Sequence, residues 1–162
     1  MRALLDALQS DYYILLLFPM FFASNVFYPY QFNTFNLTNF TIRTRSLNNV
    51  VYWLAEITGG YLSGYLLDIS CVRRSLKARI ALLVLLVMTC AVWGGGYVWE
   101  FRVSKMEMRR ELEIGRKIDY NDEGYAWPML LYMAFGLLAA SYQTCLYWFV
   151  FPLFPSSSFL LL

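Results

Sequence analysis

Four apolar runs, residues 12–31, 47–67, 80–99 and 126–151, follow one another along the chain with polar stretches between them. Each is continuous, without the apolar-polar alternation of a membrane strand, and each reaches the ~20 residues that a helix rising 1.5 Å per residue needs to cross about 30 Å of hydrocarbon. Hydrocarbon gives a bare backbone no hydrogen-bond partner, so helices are the expected form. The pattern predicts an all-α membrane protein with four transmembrane helices, residues 1–162 making a single transmembrane domain.

The connections differ in character. Residues 32–46, FNTFNLTNFTIRTRS, read as a short loop with two glycosylation sequons, at Asn36 and Asn39. Residues 64–87, GYLLDISCVRRSLKARIALLVLLV, squeeze Asp68 and the cations Arg73, Arg74, Lys77 and Arg79 into the gap between two apolar walls. Such a cluster holds anionic headgroups at about 1 kcal/mol per cation near the surface. Residues 100–124 form a polar loop with six basic and seven acidic residues, in which Glu113 and Lys117 sit four apart on a helix-compatible stretch. The tail, residues 150–162, is VFPLFPSSSFLLL.

Composition agrees with lipid as the main solvent: 59% of residues are hydrophobic and 15% charged, where soluble domains carry about 25% charge. Tyr12, Tyr13, Tyr28, Tyr30, Tyr52, Trp53, Trp93, Tyr97, Trp99, Tyr125, Trp127, Tyr147 and Trp148 fall mostly toward span ends, which predicts aromatic belts at the headgroup level. The opening MRALLDALQSDYY holds Asp6 and Asp11 ahead of the first run, unlike a cleaved signal peptide.

Enzyme chemistry finds little purchase. Histidine is absent, which excludes His-based triads and HExxH zinc sites within the chain. Cys71, Cys90 and Cys145 lie too far apart for a CxxC site and read as free thiols. DYNDEG, residues 119–124, starts like a calcium loop, but Glu123 and Leu130 stand where that loop needs other ligands. The Gly94–Gly95–Gly96 run sits late in an apolar helix, where it permits close packing or a bend. No cofactor or metal is implied, and the balanced charge of the polar loop argues against nucleic acid.

Within the spans, Glu56 is the one acid deep in an apolar run, where insertion costs about 2.5–3.5 kcal/mol near mid-bilayer. It is the leading candidate for a coupling or cavity residue, with Asn25, Asn48, Asn49 and Gln143 as further candidates for the same cavity; the bland reading of these amides is hydrogen-bond glue between helices. Gly60 and Gly64 form a GxxxG packing pattern. Orientation is divided: the third connection holds more Lys and Arg, whereas the second packs them more densely at the membrane edge.

GYLLDISCVRRSLKAR resembles the cytoplasmic loop motif of the major facilitator superfamily: a glycine, three residues, an aspartate, then a basic cluster. Gly64 and Asp68 keep that spacing, while Arg73 and Arg74 come one place later than usual. Together with FFASNVFYPYQFN, FTIRTRSLNNVVYW, VWGGGY and MLLYMAFGLLAASYQTCLYWF, it makes the chain similar to the fungal Unc-ninety-three-like, ion-channel regulatory branch of that superfamily over about residues 15–149. The resemblance implies a fragment of the C-terminal half of a twelve-helix fold, with the four spans as helices seven to ten. It places the basic loop in the cytoplasm and the sequon loop outside, and gives Asp68 the role of latching onto an eleventh helix. After YWF the tail departs from the family, so the chain is expected to be truncated. The implied function is secondary transport of a small solute by alternating access. The alternative is a non-transporting adaptor or ion-channel regulatory subunit with a membrane-protein partner; a truncated, non-functional product is a third reading.

Overall fold

The computed structural model describes residues 12–70, 72–105 and 117–151. Among these, four α-helices and one π-helix follow in order: α1 (Tyr12–Val26), the π-helix (Tyr30–Leu37), α2 (Ile42–Asp68), α3 (Arg74–Lys105) and α4 (Ala126–Val150). Cys71, the Glu113 end of the predicted charge pair and all of the tail beyond Phe151 lie outside the described residues.

The first predicted span is not one helix. It stops at Val26, turns at Phe27 and resumes as the π-helix, which also absorbs part of the predicted loop. Pro29 supplies the cause, because it has no N–H to donate back into the preceding turn; the ladder resumes with Gln31 N–H donating to Phe27 O at 3.0 Å. The remainder of that loop is the start of α2, whose N-cap Thr41 accepts from Thr44 N–H. Helix α3 runs past both predicted ends, so Arg74, Lys77, Arg79 and Glu100 are helical rather than loop residues. Helix α4 begins at the predicted residue and ends one short of it.

Helices α2 and α4 pack side by side and in the same direction, from Asn48 against Tyr125 at one end to Gly64 against Thr144 at the other. Two glycines permit the approach. A Cβ built on Gly59 would lie 2.7 Å from Leu137 O, and one on Gly136 would lie 2.7 Å from Tyr52 O. The GxxxG pair is looser than expected, since Cβ atoms on Gly60 and Gly64 would meet Thr144 at ordinary distances of 3.7 and 4.0 Å. Helix α3 runs against α4 in the opposite direction, with Arg74 over Trp148 at one end and Gly95 against Leu131 toward the other. Within the triple glycine, Gly95 and Gly96 meet Leu131 and Phe135, whereas Gly94 faces open space.

Solvent preference is inverted relative to a water-soluble bundle. Gln31, Thr44 and Asn48 are at most 1% exposed, while Ile57, Leu83 and Leu86 are more than 60% exposed. Polar groups turn inward where they satisfy one another, and aliphatic groups turn outward, as hydrocarbon surroundings require. Several residues expected in the belts are interior instead: Tyr52, Trp99 and Tyr125 join Phe35, Tyr132 and Phe135 in one aromatic core.

Among the described residues, two helices are long and apolar enough to cross a membrane: Arg74–Ser104 of α3, and α4. Helix α2 has 27 residues but dilutes its apolarity with the inward-facing Asn48 and Glu56, and α1 has 15 residues.

Candidate functional site

Helix α2 carries Asn48, Tyr52 and Glu56 four residues apart, so they stack on one face over about 12 Å at 1.5 Å per residue. That face looks onto the π-helix and α4. The break between α1 and the π-helix frees Tyr28 to reach across: its hydroxyl donates to Glu56 Oε1 at 3.3 Å and accepts from Gln143 Nε2 at 3.0 Å. Two of the candidate site residues, Glu56 and Gln143, are thus joined through Tyr28, which the sequence pattern assigns only to the aromatic belt.

Beside this bridge, Tyr52 donates to Gln31 Oε1 at 2.8 Å. Aromatic rings wall the track: Phe32 stacks on Tyr28 at 6.0 Å and meets Tyr52 edge-on at 5.1 Å, and Tyr52 lies 5.0 Å from Tyr132. On the other side of Pro29, Tyr30 donates to Glu100 Oε1 of α3 at 3.1 Å. The three-residue segment Tyr28–Pro29–Tyr30 therefore ties the broken helix to carboxylates on two different helices. The sequence pattern puts Glu100 in the polar loop; it belongs to α3 because that helix continues to Lys105.

A second polar group closes on itself. Asn36 Nδ2 donates to Asn49 Oδ1 at 2.8 Å and to Tyr132 Oη at 3.3 Å, and Asn48 Nδ2 donates to Asn36 Oδ1 at 3.2 Å. Tyr125 donates to Asn48 Oδ1 at 2.6 Å and Tyr132 to Asn49 Oδ1 at 3.2 Å. Asn48 and Asn49 thus meet Asn36 rather than Glu56. Asn25 joins neither group, being exposed and bonded to its neighbour Ser24. Both sequon asparagines are interior: Asn36 is 3% and Asn39 6% exposed, and Asn39 Nδ2 donates to Phe35 O at 2.8 Å.

The polar loop grips the start of α2. Ile118 N–H donates to Asn39 O at 2.9 Å and Thr41 N–H to Ile118 O at 3.1 Å, a two-bond bridge. Asp119 Oδ1 then accepts from the Thr44 hydroxyl at 2.7 Å, the Tyr120 N–H at 2.9 Å and the Thr41 hydroxyl at 3.0 Å. These donors, Thr44 foremost, hold its carboxyl below the usual range, and Arg43 adds to the effect.

At the opposite end, Lys77 Nζ donates to Leu67 O at 2.7 Å, placing a cation on the C-terminus of α2. Arg74 lies over the Trp148 ring at 4.4 Å and donates to Trp148 O at 3.1 Å, gripping the end of α4. Asp68, Arg73 and Arg79 are exposed.

Comparison with known proteins gives consistent relatives. An UNC93-like protein of Schizosaccharomyces pombe is 39% identical over 147 residues, covering 91% of this chain and 29% of its own length. UNC93-like protein 1 of Arabidopsis thaliana is 37% identical over 142 residues, covering 86% of this chain and 30% of its own length. An uncharacterized membrane protein of S. pombe is 29% identical over 140 residues. The chain is therefore similar to UNC93-like proteins over most of its residues and spans about 30% of the length of these curated relatives. No protein-family profile and no solved structure matches it.

Proposed function

We propose that this chain is a segment of an UNC93-like secondary transporter, built on the major facilitator plan and belonging to its C-terminal half. Its four helices then cross the bilayer as helices seven to ten, with the basic turn between α2 and α3 at the cytoplasmic surface. Asp68, exposed here, is free to meet a further helix of the longer protein.

The observation that carries this reading is the Glu56–Tyr28–Gln143 contact. An acid inside a membrane helix is costly and marks an ion or substrate pathway by default. In secondary transporters such sites gather where a helix is interrupted, because the break turns side chains inward. Here the interruption at Phe27 to Pro29 delivers Tyr28 between Glu56 and Gln143. Glu56 takes up and releases a proton or pairs with a cationic group, Gln143 and Tyr28 position the solute, and the aromatic walls exclude lipid.

The test is uptake into proteoliposomes by the full-length protein with Glu56→Gln. Loss of pH-driven uptake with unchanged helical content supports the reading; retained pH-driven uptake overturns it. One observation favours the alternative of a non-transporting adaptor: in the Asn36–Asn48–Asn49 group every amide oxygen already accepts a hydrogen bond from within the chain. Recovery of a stoichiometric membrane partner from detergent, without any uptake, decides for that alternative.

A further inference from the structure

We propose that the groove between α2 and α3 below the basic turn binds one anionic phospholipid, with an acyl chain in the groove and the phosphate on Lys77. The groove encloses about 220 Å³ and is lined chiefly by apolar side chains, Leu67, Ala81, Val84, Leu85 and Met88 among them, with Cys145 of α4 at its wall and Lys77 as its single charged group. Its α3 contribution is a stripe. Lys77, Ala81, Val84 and Met88 recur at the three- and four-residue spacing of one helix face, so a cation heads an apolar track running down the helix. From Lys77 to Met88 the track is about 16 Å long at 1.5 Å per residue, close to the ~15 Å of one hydrocarbon leaflet.

The charge at its mouth selects the headgroup. Lys77 spends one of its three N–H donors on Leu67 O and keeps two, and Arg74 spends one of its five on Trp148 O. Arg73 and Arg79, within four residues of Lys77 along the chain, are exposed, and Asp68 is the single acid of this stretch. Apolar cavities do not hold water, and a cation with two N–H donors left at the head of an apolar slot matches an anionic amphiphile rather than a neutral one. This ligand is separate from the Glu56 site and does not depend on transport.

Native mass spectrometry of the chain released from nanodiscs of phosphatidylcholine mixed with phosphatidylglycerol tests this. The expected result is one retained phosphatidylglycerol, enriched several-fold over phosphatidylcholine. Lys77→Gln abolishes the enrichment, Lys77→Arg keeps it, and Ala81→Trp, which fills the groove, displaces the lipid. Retention of both lipids without preference, no retained lipid, or an undiminished preference in Lys77→Gln overturns the proposal, leaving the groove to uncharged lipid or to a protein helix.

Discussion

Tyr28 and Glu56, 28 positions apart in the chain, meet through a 3.3 Å hydrogen bond, and the same Tyr28 oxygen receives Gln143 from α4. One hydroxyl therefore links the interrupted first helix to the α2–α4 pair. Tyr28→Phe deletes both bonds while keeping the ring that stacks on Phe32. Interhelical hydrogen bonds in membranes average about 0.6 kcal/mol each, so the expected loss is about 1 kcal/mol of stability. Unfolding by steric trapping in bicelles measures it, and a cycle with Gln143→Leu should show coupling between the two sites. Strict additivity would mean that the bridge does not hold.

Close approach of α2 and α4 makes a sharper prediction. Gly136→Ala places a methyl 2.7 Å from Tyr52 O, a backbone atom that yields only if the helices separate. A cost of about 1–3 kcal/mol is expected, as for other overpacking changes. Gly94→Ala is the control, because nothing lies within 4 Å of its Cβ and alanine is the better helix former. The same unfolding assay should find Gly94→Ala neutral or slightly stabilising.

How much of this was legible beforehand depends on what kind of signal each feature leaves. Helix α4 is readable to within a residue because it is mostly apolar, carries no charged residue and has a proline, Pro128, in the first helical turn. The interruption of the first helix is not, since its apolar composition continues through Phe27 and only Pro29 marks the break. Residues 32–46 read as a loop because Asn and Thr usually seek water; in hydrocarbon such residues turn inward and pair, as Asn36 does with Asn48. Glu56 stood out by its cost alone. Its partner Tyr28 lies 28 residues away, Gln143 joins it only through Tyr28, and no local periodicity encodes contacts of that range. The same range hides the contacts of Tyr28, which the sequence places in the aromatic belt, of Asp119, which it places in a failed calcium loop, and of Tyr132.

Burial of the sequon asparagines predicts that neither is modified. A glycan on Asn36 requires Nδ2 to leave both Asn49 and Tyr132, and one on Asn39 requires it to leave Phe35 O. Expression in a glycosylating host followed by endoglycosidase treatment should leave electrophoretic mobility unchanged. A mobility shift that disappears in Asn36→Gln or Asn39→Gln would show that this region opens during synthesis.

The Asp119 clasp gives a pH dependence of defined sign. Its folded-state carboxyl titrates below the unfolded value of about 3.9. Between the two the unfolded state binds more protons, so stability rises with pH there. The clasp's contribution is complete above about pH 4 and is lost as pH falls through the folded value. Hydrogen exchange at the Thr41 and Ile118 amides reads it directly: protection should be constant from neutral pH down to that range and then fall, and Asp119→Asn should remove the step.

Arg74 and Trp148 supply a test of what holds the ends of α3 and α4 together. The guanidinium sits 4.4 Å from the ring centroid and donates to the Trp148 carbonyl, so its partners are a quadrupole and a backbone dipole rather than a formal charge. Trp148→Ala removes the ring and leaves the carbonyl; Arg74→Gln removes the cation. A double-mutant cycle should give a coupling of about 0.5–1 kcal/mol, with Trp148→Phe losing part of it because a smaller ring has a weaker quadrupole. Salt separates this contact from an ion pair. An exposed pair of opposite charges weakens as ionic strength rises, whereas a cation seated on a ring at van der Waals distance has no second charge to screen. Coupling that persists between low and high salt is therefore expected, and coupling that vanishes in high salt would assign the interaction to a nearby acid instead.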